Sequence, residues 1–162
     1  MLKYFAYGSN LFAPRLKARV PSARFAGAAR LADHRLVFHK RGVDGSGKAT
    51  LAKSPGDAVW GVVYVCGTGG IGGLRRAEGW PVQYRETEVE VAMAKWRRRV
   101  MTYVAAPSYI DPALRPFDWY LELVLAGARA ACLPPAYIAG LATVPALADP
   151  DEARARANRP VV

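Results

Sequence analysis

Two short stretches of the sequence hold residues whose types and spacing suit anion binding and proton transfer. The first is Tyr7-Gly8-Ser9-Asn10-Leu11, which follows the apolar run from Leu2 and precedes a stretch with Leu11, Phe12, Leu16 and Val20 loosely on one helical face. A glycine and small polar residues between a strand and a helix let the N–H groups of Gly8, Ser9, Asn10 and Leu11 point at an anion or a developing oxyanion. The same string also reads as a well-capped turn with no ligand. The second stretch is Glu78, followed by Gly79-Trp80-Pro81. A glutamate at a short helix end is ordinarily solvated, but beside an aromatic wall it is desolvated, and that raises its proton affinity towards what a general acid/base needs.

Tyr7, Tyr84, Tyr103 and Tyr120 each read singly as half-buried aromatics, and together they suggest a pocket lined by phenols. Cys66, Cys132, His34 and His39 are the only soft ligands, and no pair has the close spacing of a zinc site, so neither a metal nor a cofactor is expected. Cys66 with a histidine lacks any local signature of a thiol nucleophile. Gly67 to Gly73 is glycine-rich but has neither the Lys-Ser/Thr ending nor the spaced glycines of a nucleotide loop.

These residues need elements to place them. Leu2 to Tyr7 reads as a buried strand, and two strand-like stretches from Ala23 to His39 flank Asp33-His34. Arg41 to Lys48 has three glycines and no periodicity, which predicts a mobile loop. Ser54-Pro55-Gly56-Asp57 is a turn signal, and it predicts a hairpin of Ala49 to Ala52 with Val59 to Val65. A short helix through Leu74 to Ala77 delivers Glu78, with Gly79 ending it. From Tyr84 to Met93 and from Arg97 to Tyr103 the pattern alternates. An antiparallel register with Glu90 facing Arg97 and Glu88 facing Arg99 places Tyr84 opposite Tyr103. Helices are predicted over Phe117 to Ala131 and Pro135 to Leu141.

With 162 residues, 52% of them hydrophobic, one domain over residues 1–145 is expected, and residues 146–162 read as a tail with little to bury, partly disordered at its end. No apolar run approaches the ~20 residues that span a bilayer, and the chain starts directly in a strand pattern, so a cytoplasmic protein is expected. The net charge of +10 suits nucleic acid, an acidic substrate or a soluble surface. The arginines are scattered, with the densest cluster at Trp96-Arg97-Arg98-Arg99, and the solubility reading is favoured over nucleic acid.

The string Tyr4-Phe5-Ala6-Tyr7-Gly8-Ser9-Asn10-Leu11 is similar to the opening signature of the γ-glutamylcyclotransferase family. Ser54-Pro55-Gly56-Asp57-Ala58-Val59-Trp60-Gly61-Val62-Val63 resembles its central strand motif. The likeness continues through Glu78-Gly79, Tyr84, Thr102-Tyr103 and Leu133-Pro134-Pro135-Ala136-Tyr137. The resemblance implies an α+β fold, a small closed or nearly closed mixed β-barrel flanked by α-helices. It implies an enzyme in which Glu78 is the catalytic acid/base, with Tyr7, Gly8, Ser9, Asn10, Leu11, Tyr84, Tyr103 and Tyr120 binding substrate. The partner implied is a small-molecule γ-glutamyl substrate, cyclised to 5-oxoproline with release of an amino acid or amine, and a homodimer is compatible with it. Asn10 separates the chain from glutathione-specific ChaC-type relatives, which have leucine there, and Ser9 from the γ-glutamylamine branch, which has threonine. Gly67 to Arg76 departs from better-known members, being glycine-rich and basic, and the segment between Glu78 and Tyr84 is about one residue short. Two alternatives stay open: a cyclotransferase for γ-glutamylamines or a γ-glutamyl-protected metabolite, and a non-catalytic basic binding module.

Overall fold

A computed structural model describes residues 1–161. Two long strands organise it: β2 (Arg24–Arg41) and β3 (Gly47–Cys66) run antiparallel along most of their lengths. Val59, Val62 and Val63 on β3 and Ala29, Leu31 and Phe38 on β2 are buried; the neighbours Val62 and Val63 point to opposite faces, so β3 is covered on both sides there. The inward positions on β2 change from odd (Ala29, Leu31) to even (Phe38, Lys40), because a bulge at Asp33 reverses which face each residue occupies.

The hairpin expected at Ser54 to Asp57 does not form. Ala32 pairs with Ala58 and His34 with Lys53, so the four residues Ser54 to Asp57 bulge opposite Asp33 alone. Asp33 and Gly56 take the left-handed conformation (φ 56° and 86°), and the Gly56 N–H donates to Asp33 Oδ1 at 3.0 Å. The turn chemistry is spent within one strand, because both halves of β3 share the long β2 as partner. Arg41 to Lys48, expected as a mobile loop, instead continues both strands and turns only at Gly42 to Ser46. There the Asp44 carboxylate accepts from Ser46 N–H and from Lys48 Nζ at 2.7 Å.

β1 (Leu2–Ala6) pairs with β3, and β4 (Tyr84–Met93) forms a hairpin with β5 (Trp96–Ala105). β4 meets β2 at Arg30 and Ala92, and β5 meets β1 in parallel at Tyr4 and Met101, closing a mixed barrel in the order β1-β3-β2-β4-β5. This is the α+β barrel implied by the sequence resemblance. The β4–β5 register is shifted by two from the expected one, with Glu90 opposite Arg99 and Tyr84 opposite Ala105, because a two-residue turn joins Met93 to Trp96. The expected ion pairs form nonetheless, as diagonal contacts: Arg97 to Glu90 at 3.3 Å and Arg99 to Glu88 at 3.4 Å. That pairing neutralises much of the arginine cluster.

Among the described residues five α-helices flank the barrel: α1 (Ala13–Arg19), α2 (Gly70–Glu78), α3 (Asp118–Ala130), α4 (Pro135–Ala142) and α5 (Glu152–Asn158). α3 is the most deeply set, burying Trp119, Tyr120, Leu123 and Val124. It approaches the turn after β1 at Gly127, where a Cβ would sit 2.3 Å from the Leu11 carbonyl carbon. Residues 146–162, read from sequence as a tail with little to bury, carry α5. Its anchor is polar: Asp149 accepts from Trp119 Nε1 at 2.8 Å and pairs with Arg154 at 2.5 Å, while Arg159 pairs with Glu122 and Asp118. Apolar patterning does not reveal such an anchor.

Candidate active site

The chain leaves β1 through Tyr7 and bends at Gly8, where a Cβ would lie 2.8 Å from Ala49 Cβ, so no larger residue fits without moving β3. Ser9–Leu11 then form one tight helical turn, closed by Leu11 N–H donating to Gly8 O at 2.9 Å. Leu11 therefore departs from the expected donor nest. Its N–H is spent within the turn, and its side chain is 2% exposed beneath α3. Gly8, Ser9 and Asn10 remain at the cavity wall.

Glu78 is the last residue of α2 because Gly79 takes the left-handed conformation (φ 62°, ψ 34°), with Trp80 N–H returning to Arg75 O at 3.0 Å. That cap holds the carboxylate over the turn. Asn10 Nδ2 donates to Glu78 Oε1 at 3.0 Å and to the Tyr4 hydroxyl at 2.9 Å, while Asn10 Oδ1 accepts from Arg19 at 2.8 Å. Arg19 also reaches Glu78 at 3.4 Å, and the Glu78 side chain is only 14% exposed. Burial pushes the Glu78 carboxyl above its ordinary range, and Arg19, Asn10, Lys40 and Arg15 pull it only part of the way back.

Glu78 and the Gly8–Asn10 turn share one cavity with Tyr7, Tyr84, Tyr103 and Tyr120. The expected tyrosines thus converge, but most present rings rather than hydroxyls. Tyr7 donates to the Tyr103 carbonyl, Tyr84 to Ala49 O at 2.6 Å, and Tyr103 to Glu86 at 3.1 Å, which Arg75 grips through two hydrogen bonds. Tyr120 accepts from Ala49 N–H at 3.1 Å, as Tyr4 accepts from Asn10. Among the described residues Tyr4 has no acceptor for its own proton and can donate into the cavity, while the Tyr120 hydroxyl also meets the Ser9 side chain at the cavity wall. Burial raises all five phenols, keeping them neutral donors at neutral pH.

Sequence reasoning missed Tyr4, Arg19 and Lys40. Tyr4 lies on β1, just before the Tyr7–Leu11 motif, and Arg19 ends α1, nine residues after Asn10. Lys40 carried the clearest signal: it alternates with buried Phe38 and is itself only 4% exposed, an unusual place for an ammonium. Among the described residues, no cluster of three or more His, Cys, Asp or Glu side chains is placed to hold a metal ion.

Comparison with known proteins gives a consistent result. Residues 58–141 match the AIG2-like family. The chain is 37% identical over 146 residues to human gamma-glutamylcyclotransferase, covering 83% of this chain and 73% of that protein. It is 34% identical over 140 residues to the bovine protein of the same name, with the same coverage. A solved structure of a gamma-glutamyl cyclotransferase superposes with a TM-score of 0.84 at 31% identity, over 90% of this chain and 89% of that one.

Proposed function

Because the chain belongs to the AIG2-like family together with the γ-glutamylcyclotransferases, we propose that its cavity cyclises γ-glutamyl amides to 5-oxoproline with Glu78 as the proton carrier. The observation that carries this reading is the meeting of a desolvated carboxylate with the Gly8–Asn10 turn in one cavity lined by neutral phenols.

The substrate holds its own nucleophile. Its α-amine attacks the γ-carbonyl carbon, a C–N bond closes the five-membered lactam, and the original amide C–N bond breaks to expel the attached amine. Folding the substrate into that near-attack shape exploits intramolecularity, which is worth effective molarities of about 10⁵ M and above in well-oriented systems. The α-ammonium must lose two protons on becoming the lactam nitrogen, and the departing nitrogen gains two. Glu78 carries them in turn, a task suited to a carboxyl whose proton affinity is raised towards working pH. The N–H groups of Ser9 and Asn10 and the hydroxyl of Tyr4 are the donors within reach of the substrate carboxylate and the tetrahedral oxyanion. Arg19 and Asn10 hold Glu78 in place.

We read the enzyme as cytoplasmic. Cys66 and Cys132 are free thiols, and no helix among the described residues is long and apolar enough to cross a membrane. Incubating the purified protein with γ-glutamyl dipeptides, glutathione and γ-glutamylamines and measuring 5-oxoproline tests the reaction. Release from none of them overturns it.

A further inference from the structure

Outside the Glu78 cavity lies a wider vestibule of about 410 Å³ whose wall is strongly basic. Arg15, Arg19, Lys40, Lys48 and Arg154 line it against only Asp44 and Glu78. Three of these cations are matched by carboxylates: Lys48 by Asp44 at 2.7 Å, Arg154 by Asp149 at 2.5 Å, and Arg19 by Glu78. Lys40 on β2 and Arg15 on α1 have no carboxylate partner among the described residues.

Both are held in ways that leave donors unspent. The Lys40 ammonium carries three protons, yet its one hydrogen bond is to Gln83 Oε1 at 2.5 Å, with the Tyr84 ring centroid 4.9 Å away. Arg15 reaches Asn158 Oδ1 at 3.3 Å, and its buried Nε has no acceptor among the described residues. Burying a cation without a counter-charge is costly, and an anionic ligand offsets that cost. Burial depresses the proton affinity of both groups, and the nearby Glu78 offsets that only in part.

We propose that Lys40 and Arg15 form an anion subsite for the departing half of the substrate, so that the enzyme selects γ-glutamyl dipeptides whose released residue has an acidic side chain. The proposal rests on the cyclotransferase reading. In that reading the α-carboxylate of the γ-glutamyl half occupies the inner cavity, so the vestibule receives only the released residue. A neutral residue brings one carboxylate there, and glutamate or aspartate brings two. Two uncompensated cations match two carboxylates.

The test compares γ-glutamylglutamate with its neutral near-isostere γ-glutamylglutamine. Wild type should favour the acidic dipeptide by about tenfold or more in kcat/KM, the scale of one added charge-assisted hydrogen bond. Lys40→Gln and Arg15→Gln should each bring that ratio towards one, chiefly through KM. A wild-type ratio of one or below overturns the subsite, as does a ratio unchanged in both variants. Calorimetric affinities for the two dipeptides decide the question without turnover when Glu78→Gln, which also frees Arg19 in the vestibule, is compared with Glu78→Gln carrying Lys40→Gln or Arg15→Gln: equal affinities in Glu78→Gln, or a preference that both added substitutions leave intact, reject the subsite, and a preference that they remove supports it. A wild type that forms no 5-oxoproline from any dipeptide rejects the reaction, while the affinity comparison still decides the subsite.

Discussion

Asn10 donates its side-chain amide to Glu78 Oε1 at 3.0 Å across 68 positions of chain, and the same amide nitrogen reaches the Tyr4 hydroxyl at 2.9 Å. This one side chain ties the turn after β1 to the end of α2. It favours the charged form of a carboxyl whose proton affinity burial raises.

Replacing Glu78 by Gln should leave fold and ligand affinity in place and lower turnover by about 10² or more, since it removes the proton carrier and little else. Calorimetric binding beside 5-oxoproline release checks both halves. Near wild-type turnover would end the assignment.

The raised proton affinity of Glu78 also sets a sign for stability. The folded state holds this proton more tightly than the unfolded chain, so its contribution is fully present below the ordinary carboxylate pKa and is lost as pH rises through the folded value. Glu78→Gln carries no such penalty. Its Tm relative to wild type should therefore climb as pH rises above the ordinary carboxylate pKa of about 4.3. A flat or falling difference would show that Glu78 is not held in a desolvated site.

Removing either partner of Glu78 should act in the opposite sense to restoring solvent. Asn10→Ala and Arg19→Met each withdraw a group that favours the carboxylate, so the acid limb of the kcat profile should move to higher pH. Asn10→Ala should also cost about 1–3 kcal/mol in stability, because it strands a buried network. An acid limb that stays in place in both variants would assign the proton transfer elsewhere.

Two helical glycines should respond to the same substitution with opposite signs. Gly140 on α4 has open space around it, so Gly140→Ala should stabilise by roughly 0.5–1 kcal/mol through helix propensity. At Gly127 the new Cβ would lie 2.3 Å from Leu11 C and 2.4 Å from Phe12 N, backbone that cannot yield cheaply. Gly127→Ala should cost about 1–3 kcal/mol and reduce activity by displacing the Ser9–Leu11 turn. Chemical denaturation and turnover of the pair read both effects.

Asp149 anchors the C-terminal helix. The Arg154 guanidinium, the Trp119 indole and the Asp151 N–H hold its carboxyl well below the usual range. That stability is present above the ordinary carboxylate pKa and fades on acidification. Asp149→Ala should release residues near α5 to limited proteolysis and alter Trp119 fluorescence while leaving the barrel folded. Unchanged cleavage would show that α3 retains α5 without this carboxylate.

Much of the scaffold is legible because its signals are local. The apolar run of β1, the alternation over β4 and β5, the glycine that ends α2, and the strand-turn-helix around Gly8 each depend on a few neighbouring residues, whose conformational preferences do not need the rest of the chain. The Gly8 and Glu78 motifs were also marked by their resemblance to one family. Ser54-Pro55-Gly56-Asp57 shows the limit of such signals. Its turn chemistry is real, but a hairpin and a bulge use the same residues, and only the length of β2 as partner decides between them.

What tertiary structure alone decided is which groups remain available once the barrel closes. It turned most of the phenol hydroxyls onto backbone or Glu86, spent the Leu11 N–H within its own turn, brought Tyr4 and Arg19 to Glu78, and left Lys40 and Arg15 uncompensated at the mouth. Residue types name the groups able to do chemistry, but their partners come from chain segments tens of positions apart. Such pairings follow from ladder register and helix packing, which no local pattern encodes.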